Sequence, residues 1–154
     1  MGGLEVVVAD DDGLDALVDE RRGAGAHVGV IDGRDARSEE AFFTAVAGAL
    51  ELPEWFGANW DALDEVLADR SWLAGAEHVL VVRHALWLLD DKPQERLKIF
   101  VGVLGTAASG EPDPEDRSGG VDLAPPPLSV ILHTTPDDED TLRRRYEAVG
   151  ADLS

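Results

Sequence analysis

Four carboxylates stand close together near the middle of the chain: Asp61, Asp64, Glu65 and Asp69. Wound as a helix at about 100° per residue, they share one face, at about 300°, 40° and 80° from Asp61. Trp60, Leu63, Val66 and Leu67 fall on the opposite side, and no lysine or arginine interrupts the acids before Arg70. Like charges three and four residues apart weaken a helix, here by roughly 1 kcal/mol in sum. Two kinds of chemistry could use such a row. One is acid–base catalysis by a carboxylate pair, as in glycoside hydrolysis. The other is recognition of a cationic partner, since a row of carboxylates matches a row of arginines and lysines.

Catalysis needs carboxylates in contrasting environments, and this row reads as uniformly exposed. No nucleophile motif or phosphate-cradling loop accompanies it, because Gly102, Gly105 and Gly110 do not follow a strand. A metal-dependent or acid–base hydrolase is thus the least supported reading. Two others stay open from the acids alone: a solvated face, or a binding face. The residues just before them bear on the choice. Trp55 and Phe56 lie in a loop beside Pro53 and Gly57, and aromatics next to charges act as anchors in protein interfaces. One of the two can equally staple the helix entrance to the core.

Four histidines, His27, His78, His84 and His133, fall at strand edges. His84 and His133 on neighbouring strands are the one pair that could face a metal, but no metal-binding spacing supports them. They read as ordinary strand-end residues, and neither metal nor cofactor is expected. Cysteine is absent, which removes disulfides and thiolate chemistry.

The chain carries 32 acidic and 13 basic residues among its 154, a net charge of −19. Nucleic acid and anionic membrane surfaces repel such a chain, so neither is expected as a direct partner, whereas a basic protein is attracted. The segment Met1–Glu5 lacks a basic region and a long apolar stretch, which argues against a secretory signal and for the cytoplasm. Apolar runs such as Val79–Val82 are far too short for a membrane span.

The elements that must position the acids follow from periodicity. Glu5–Ala9 reads as a short strand, and Leu14, Leu17 and Val18 as a helix up to Gly23. Val28–Ile31 is a second strand. Ser38–Leu50 is a helix with Glu39 and Glu40 in its first turn, where the dipole favours them. A helix from Asn59 to about Ala68, with Asn59 as N-cap, carries the acids. His78–Val82 reads as a buried strand, the residues after Pro93 through Leu104 as a helix, and Ser109–Pro127 as a polar loop. Leu128–Leu132 is the last strand. A final helix opens at Thr135-Pro136, acidic early and with Arg143, Arg144 and Arg145 late. Strands separated by helices predict an α/β domain with a small parallel sheet, three core strands with the N-terminal strand as a possible fourth. The expected organisation is one domain over 1–154. Residues 1–26 form a strand–helix extension, 109–127 a flexible loop, and 136–154 a C-terminal helix.

The run Leu52-Pro53-Glu54-Trp55-Phe56-Gly57-Ala58-Asn59-Trp60-Asp61-Ala62-Leu63, followed by Asp64-Glu65-Val66-Leu67, resembles the signature of barstar-like ribonuclease inhibitors. The flanking elements follow in the family's order, over about residues 27 to 133. The resemblance implies a barstar-like fold and a bacterial, intracellular inhibitor or immunity protein, not an enzyme, directed at a guanyl-preferring, extracellular-type ribonuclease with a basic active site. It implies a monomer that forms a one-to-one complex through an acidic helix and the aromatic loop before it. By position, Trp55, Asn59, Asp61 and Glu65 fall on family contact positions, with Gly57 shaping the loop. Phe56, Asp64 and Asp69 complete the expected binding surface. Position 65 is Glu where the best-known members have Asp, position 64 is Asp where an aromatic is common, and the family's later acidic contact falls near Gly102. An interaction module of the same fold with a basic, non-nuclease partner is the alternative.

Overall fold

The central strands are the most uniformly apolar stretches of the chain, and the reason is that both of their faces are covered. The computed structural model describes residues 4–52, 56–69, 73, 77–90, 94–109, 128–151 and 153. Its four strands are β1 (Leu4–Val8), β2 (Ala26–Asp32), β3 (Glu77–Arg83) and β4 (Leu128–Thr134). They form one sheet in the order β1-β4-β3-β2, and every pairing is parallel. In β3 the five residues from His78 to Val82 are all buried. Such continuous burial is typical of parallel strands with helices on both sides.

Alternation along the strands divides the interior in two. Val79 and Val81 of β3, Ile131 of β4 and Val28 of β2 face α1 (Asp11–Gly23), whose Leu14 and Val18 complete that smaller cluster. Leu80, Val82, Val130 and Leu132 point the other way, into the main core. That core is closed by α2 (Glu39–Ala49), α3 (Trp60–Asp69), α4 (Gln94–Ser109) and α5 (Glu139–Glu147). Its largest fully buried side chains include Phe42, Phe100 and Tyr146. Gly29 lets α2 come close to β2, because a Cβ there would stand 2.5 Å from the Ala49 carbonyl oxygen.

The N-terminal strand does extend the sheet. β1 lies at the edge beside β4, with Leu4 opposite Val130 and Val8 opposite Thr134, while β2 occupies the other edge. The connecting helix α1 covers the face of the sheet opposite to α3. The extension therefore leaves the acidic helix uncovered. The expected C-terminal helix is present but shorter than 136–154, as α5 ends at Glu147. The region expected as a flexible loop lies outside the described residues from 110 to 127. Among the described residues, no helix is long and apolar enough to cross a membrane.

Candidate functional site

Asn59 starts α3. Its Oδ1 accepts the Ala62 backbone N–H at 2.8 Å, and its carbonyl accepts that of Leu63 at 3.0 Å. The first bond satisfies a donor that the first turn leaves open, and the second is the first regular bond of the helix. The same side chain turns back through Nδ2 to the Gly57 carbonyl at 3.3 Å. Ala58 between them has φ of 51°, a left-handed conformation that costs a residue with a Cβ. Gly57 leaves room for this arrangement, since a Cβ there would lie 3.2 Å from Asn59 Nδ2.

The next residue fixes the helix in place. The Trp60 indole stacks on Phe42 with centroids 5.3 Å apart and meets Phe43 edge-on at 4.9 Å. Its Nε1–H donates to Glu39 Oε2 at 2.7 Å, and the other oxygen of Glu39 receives Arg96 Nε at 2.8 Å. One carboxylate thus ties the first turn of α3 to α2 and α4. Nothing in the sequence singled out Glu39 beyond its place in a helix's first turn. Its role depends on Trp60 and Arg96, which are distant in sequence and adjacent only after folding.

Beyond this anchor, α3 separates its residues as periodicity requires. Leu63, Val66 and Leu67 are buried, while Asp61, Asp64 and Glu65 are exposed. Among the described residues, none of these three acids forms an ion pair. Asp69 is the last residue of α3, and its side chain lies outside the described residues, as does all of Trp55. Phe56 is half-buried, its ring 6.1 Å from that of Phe43. Phe56 thus packs the entrance of α3 against α2. Gly102 is exposed on α4, with open space where a Cβ would point.

A second cluster of charge lies at the ends of β3 and β4. Arg83 reaches Asp15 at 2.6 Å and Asp11 at 3.0 Å, and His84 Nε2 is 3.1 Å from the same Asp11 oxygen. The Arg83 guanidinium, followed by His84, holds the Asp11 carboxyl below its usual range. His133 is fully buried. Its Nε2–H donates to the Ala9 carbonyl at 2.8 Å, and its Nδ1 accepts the His84 backbone N–H at 3.0 Å. Burial holds the His133 imidazole below its usual pKa. The His84 and His133 rings meet edge to face, 5.0 Å apart, so both nitrogens of His133 serve chain connections.

A family model described as barstar (barnase inhibitor) matches residues 26–116, more than half of the chain. The chain belongs to the barstar family. The matched span begins at β2 and runs through α4, so it contains Asn59, the whole of α3 and the elements that hold them. It stops short of β4, whereas the resemblance by element order extends to about residue 133. Helix α1 and strand β1 lie outside it, as additions to the barstar segment. No curated protein sequence matches the chain. Among solved structures, the Aeropyrum pernix ORC2 protein in its ADP form is similar, with a TM-score of 0.59 at 10% identity. That similarity covers 99% of this chain but 41% of the other. At so low an identity it shows a shared α/β fold and nothing about activity.

Proposed function

We propose that the chain inhibits a guanyl-preferring, barnase-like ribonuclease by laying the acidic face of α3, and the loop before it, over the enzyme's active site. The observation that carries this reading is the exposed face of α3 itself. Asp61, Asp64 and Glu65 lack ion pairs among the described residues, on a helix whose first turn is pinned by Trp60 and capped by Asn59. A ribonuclease must hold RNA phosphates with arginines, lysines and histidines, and carboxylates can occupy the places of those phosphates. The pinned first turn leaves the helix that carries them little backbone freedom to lose on binding. Family membership supports the same reading, since the family model is described as a barnase inhibitor.

In this proposal Asp61 is the principal contact and Glu65 reaches the same kind of cationic pocket with one more methylene. Asp64 and Asp69 add field, Trp55 and Phe56 border the contact, and Gly57 and Asn59 shape its approach. The complex is one-to-one, the inhibitor acts in the cytoplasm as one domain, and it needs no cofactor. Catalysis by these carboxylates is the weaker reading, because Asp61, Asp64 and Glu65 share one exposed face instead of contrasting environments. The test is to titrate a purified barnase-type ribonuclease with the chain while following cleavage after guanosine. Activity should fall in proportion and vanish at equimolar inhibitor. Full activity under a large excess of the chain would overturn the proposal.

A further inference from the structure

The loops that lead into α2 and α4 are locked together at the C-terminal ends of β2 and β3. Gly33, just after β2, lets the chain pass so close to the turn after β3 that a Cβ there would collide with the His84 carbonyl oxygen. The Leu89 N–H donates to the Ala36 carbonyl at 3.0 Å. Next to that bond Arg37 makes two parallel bonds to Asp90, from Nε to Oδ1 at 2.6 Å and from Nη2 to Oδ2 at 2.8 Å. Its guanidinium also lies over the Trp87 indole, 5.4 Å from the ring centroid. Exposed ion pairs usually contribute little, but a two-bonded arginine–carboxylate fork is the geometry in which they do contribute. The stacked indole adds a cation–π contact to the same group.

Both partners of the fork stand where a helix is about to begin. Arg37 lies two residues before Glu39, the first residue of α2, and Asp90 four before Gln94, the first residue of α4. The two helices meet again through the Glu39–Arg96 pair, and Glu39 also receives the Trp60 indole N–H. The seat of α3 therefore depends on how the starts of α2 and α4 lie against each other. The turn that carries Asp90 is gripped in its own right by Arg145 and Tyr146 of α5, through the carbonyls of Ala85, Leu86 and Leu88. Helix α5 lies outside the segment that the family model matches.

We infer that Arg37 is a positioning residue for the recognition helix: its fork to Asp90 sets the start of α4 against the start of α2, so that Glu39 and Arg96 seat Trp60 and, with it, the carboxylates of α3. The C-terminal helix α5 shares in this task, because it holds the turn from which Asp90 projects. The inference rests on the proposed inhibitory role of α3 for its functional meaning.

The test compares Arg37→Lys and Asp90→Asn with the unmodified chain. Lysine keeps the charge but cannot make two parallel bonds, and asparagine keeps the shape but loses the charge. Hydrogen exchange follows the Ala62 and Leu63 amides, which are bonded to Asn59 in the first turn of α3, beside those of β3, β4 and α1. In both variants the two α3 amides should exchange about threefold to fivefold faster, the size of a well-made surface pair. The strands and α1 should keep their rates. Inhibition of a barnase-type ribonuclease should weaken by a similar factor. Unchanged exchange in α3 would overturn the inference, and so would its retention in Arg37→Lys alone, since charge without the fork would then suffice. A uniform rise over the whole chain would overturn it too, because that marks general stabilisation and not positioning. If the unmodified chain inhibits no ribonuclease, the functional proposal fails while the exchange data still decide whether Arg37 positions α3.

Discussion

Asp61, Asp64 and Glu65 make α3 a poorer helix than it could be, as each like-charge pair costs a few tenths of a kcal/mol. The arrangement persists because Leu63, Val66 and Leu67 bury the opposite face and Trp60 locks the first turn. That division was legible in the sequence, since it follows from period alone. The histidines were not legible in the same way. His133 occurs in a strand like any other residue, and only folding brings the Ala9 carbonyl and the His84 N–H to its two nitrogens. The consequence is an acid-sensitive joint. Folded His133 holds its proton more weakly than an unfolded histidine, so the unfolded chain binds more protons as the pH falls past the ordinary value of about 6.5. The stabilisation is present above that value and is lost as the pH drops through the lowered one. The urea midpoint should therefore fall between about pH 7.5 and about pH 5.5. His133→Gln should start lower and show a flatter pH dependence. An equally steep decline in that variant would assign the acid sensitivity to another group.

At the scale of elements, the helix carrying the acids begins where its cap chemistry predicts, because Asn59 followed by an amphipathic run is a local signal. Asn59→Ala removes the bond to the Ala62 N–H and should cost about 1 kcal/mol by urea denaturation. A change below about 0.3 kcal/mol would mean that the Trp60–Glu39–Arg96 anchor alone fixes the helix start. Connections were harder to read, since their shape is set from afar. The turn after β3 contains a short 3-10 helix at Ala85–Trp87, with His84 and Leu89 in left-handed conformations. It is held by Arg145, which donates to the Leu86 and Leu88 carbonyls at 2.8 and 2.6 Å, and by Tyr146, whose hydroxyl donates to the Ala85 carbonyl at 2.8 Å. In the sequence, Arg145 reads only as a cation suited to a helix end. Its half-buried guanidinium in fact clamps another element, and burial pushes the Tyr146 phenol above its usual pKa.

For the whole molecule, the sequence left open whether residues 1–26 extend the sheet or cover the binding face. Patterning tells which residues of α1 are buried but not which face of a sheet receives them. The answer places α1 on the side away from α3, where Leu14 is fully buried against Val79, Val81 and Ile131. Leu14→Ala should cost about 2–5 kcal/mol in urea denaturation while leaving ribonuclease affinity unchanged at temperatures where the variant is folded. A loss of affinity in the folded variant would show that the two faces communicate. The net charge of −19 acts at the same scale, and would speed encounter with the proposed basic enzyme to a degree that falls with salt. Long-range charge alone, however, does not distinguish a binding face from an acidic surface. The decisive measurement is the inhibition constant of the Asp61→Ala/Glu65→Ala double variant against a barnase-type ribonuclease, beside that of the unmodified chain, with circular dichroism to verify folding. Both substitutions are exposed, so melting should change little. Inhibition should weaken by at least about a hundredfold, roughly 3 kcal/mol, a size set by close charge pairs at the family's type interface. A folded double variant that inhibits as well as the unmodified chain would contradict the assignment of this face.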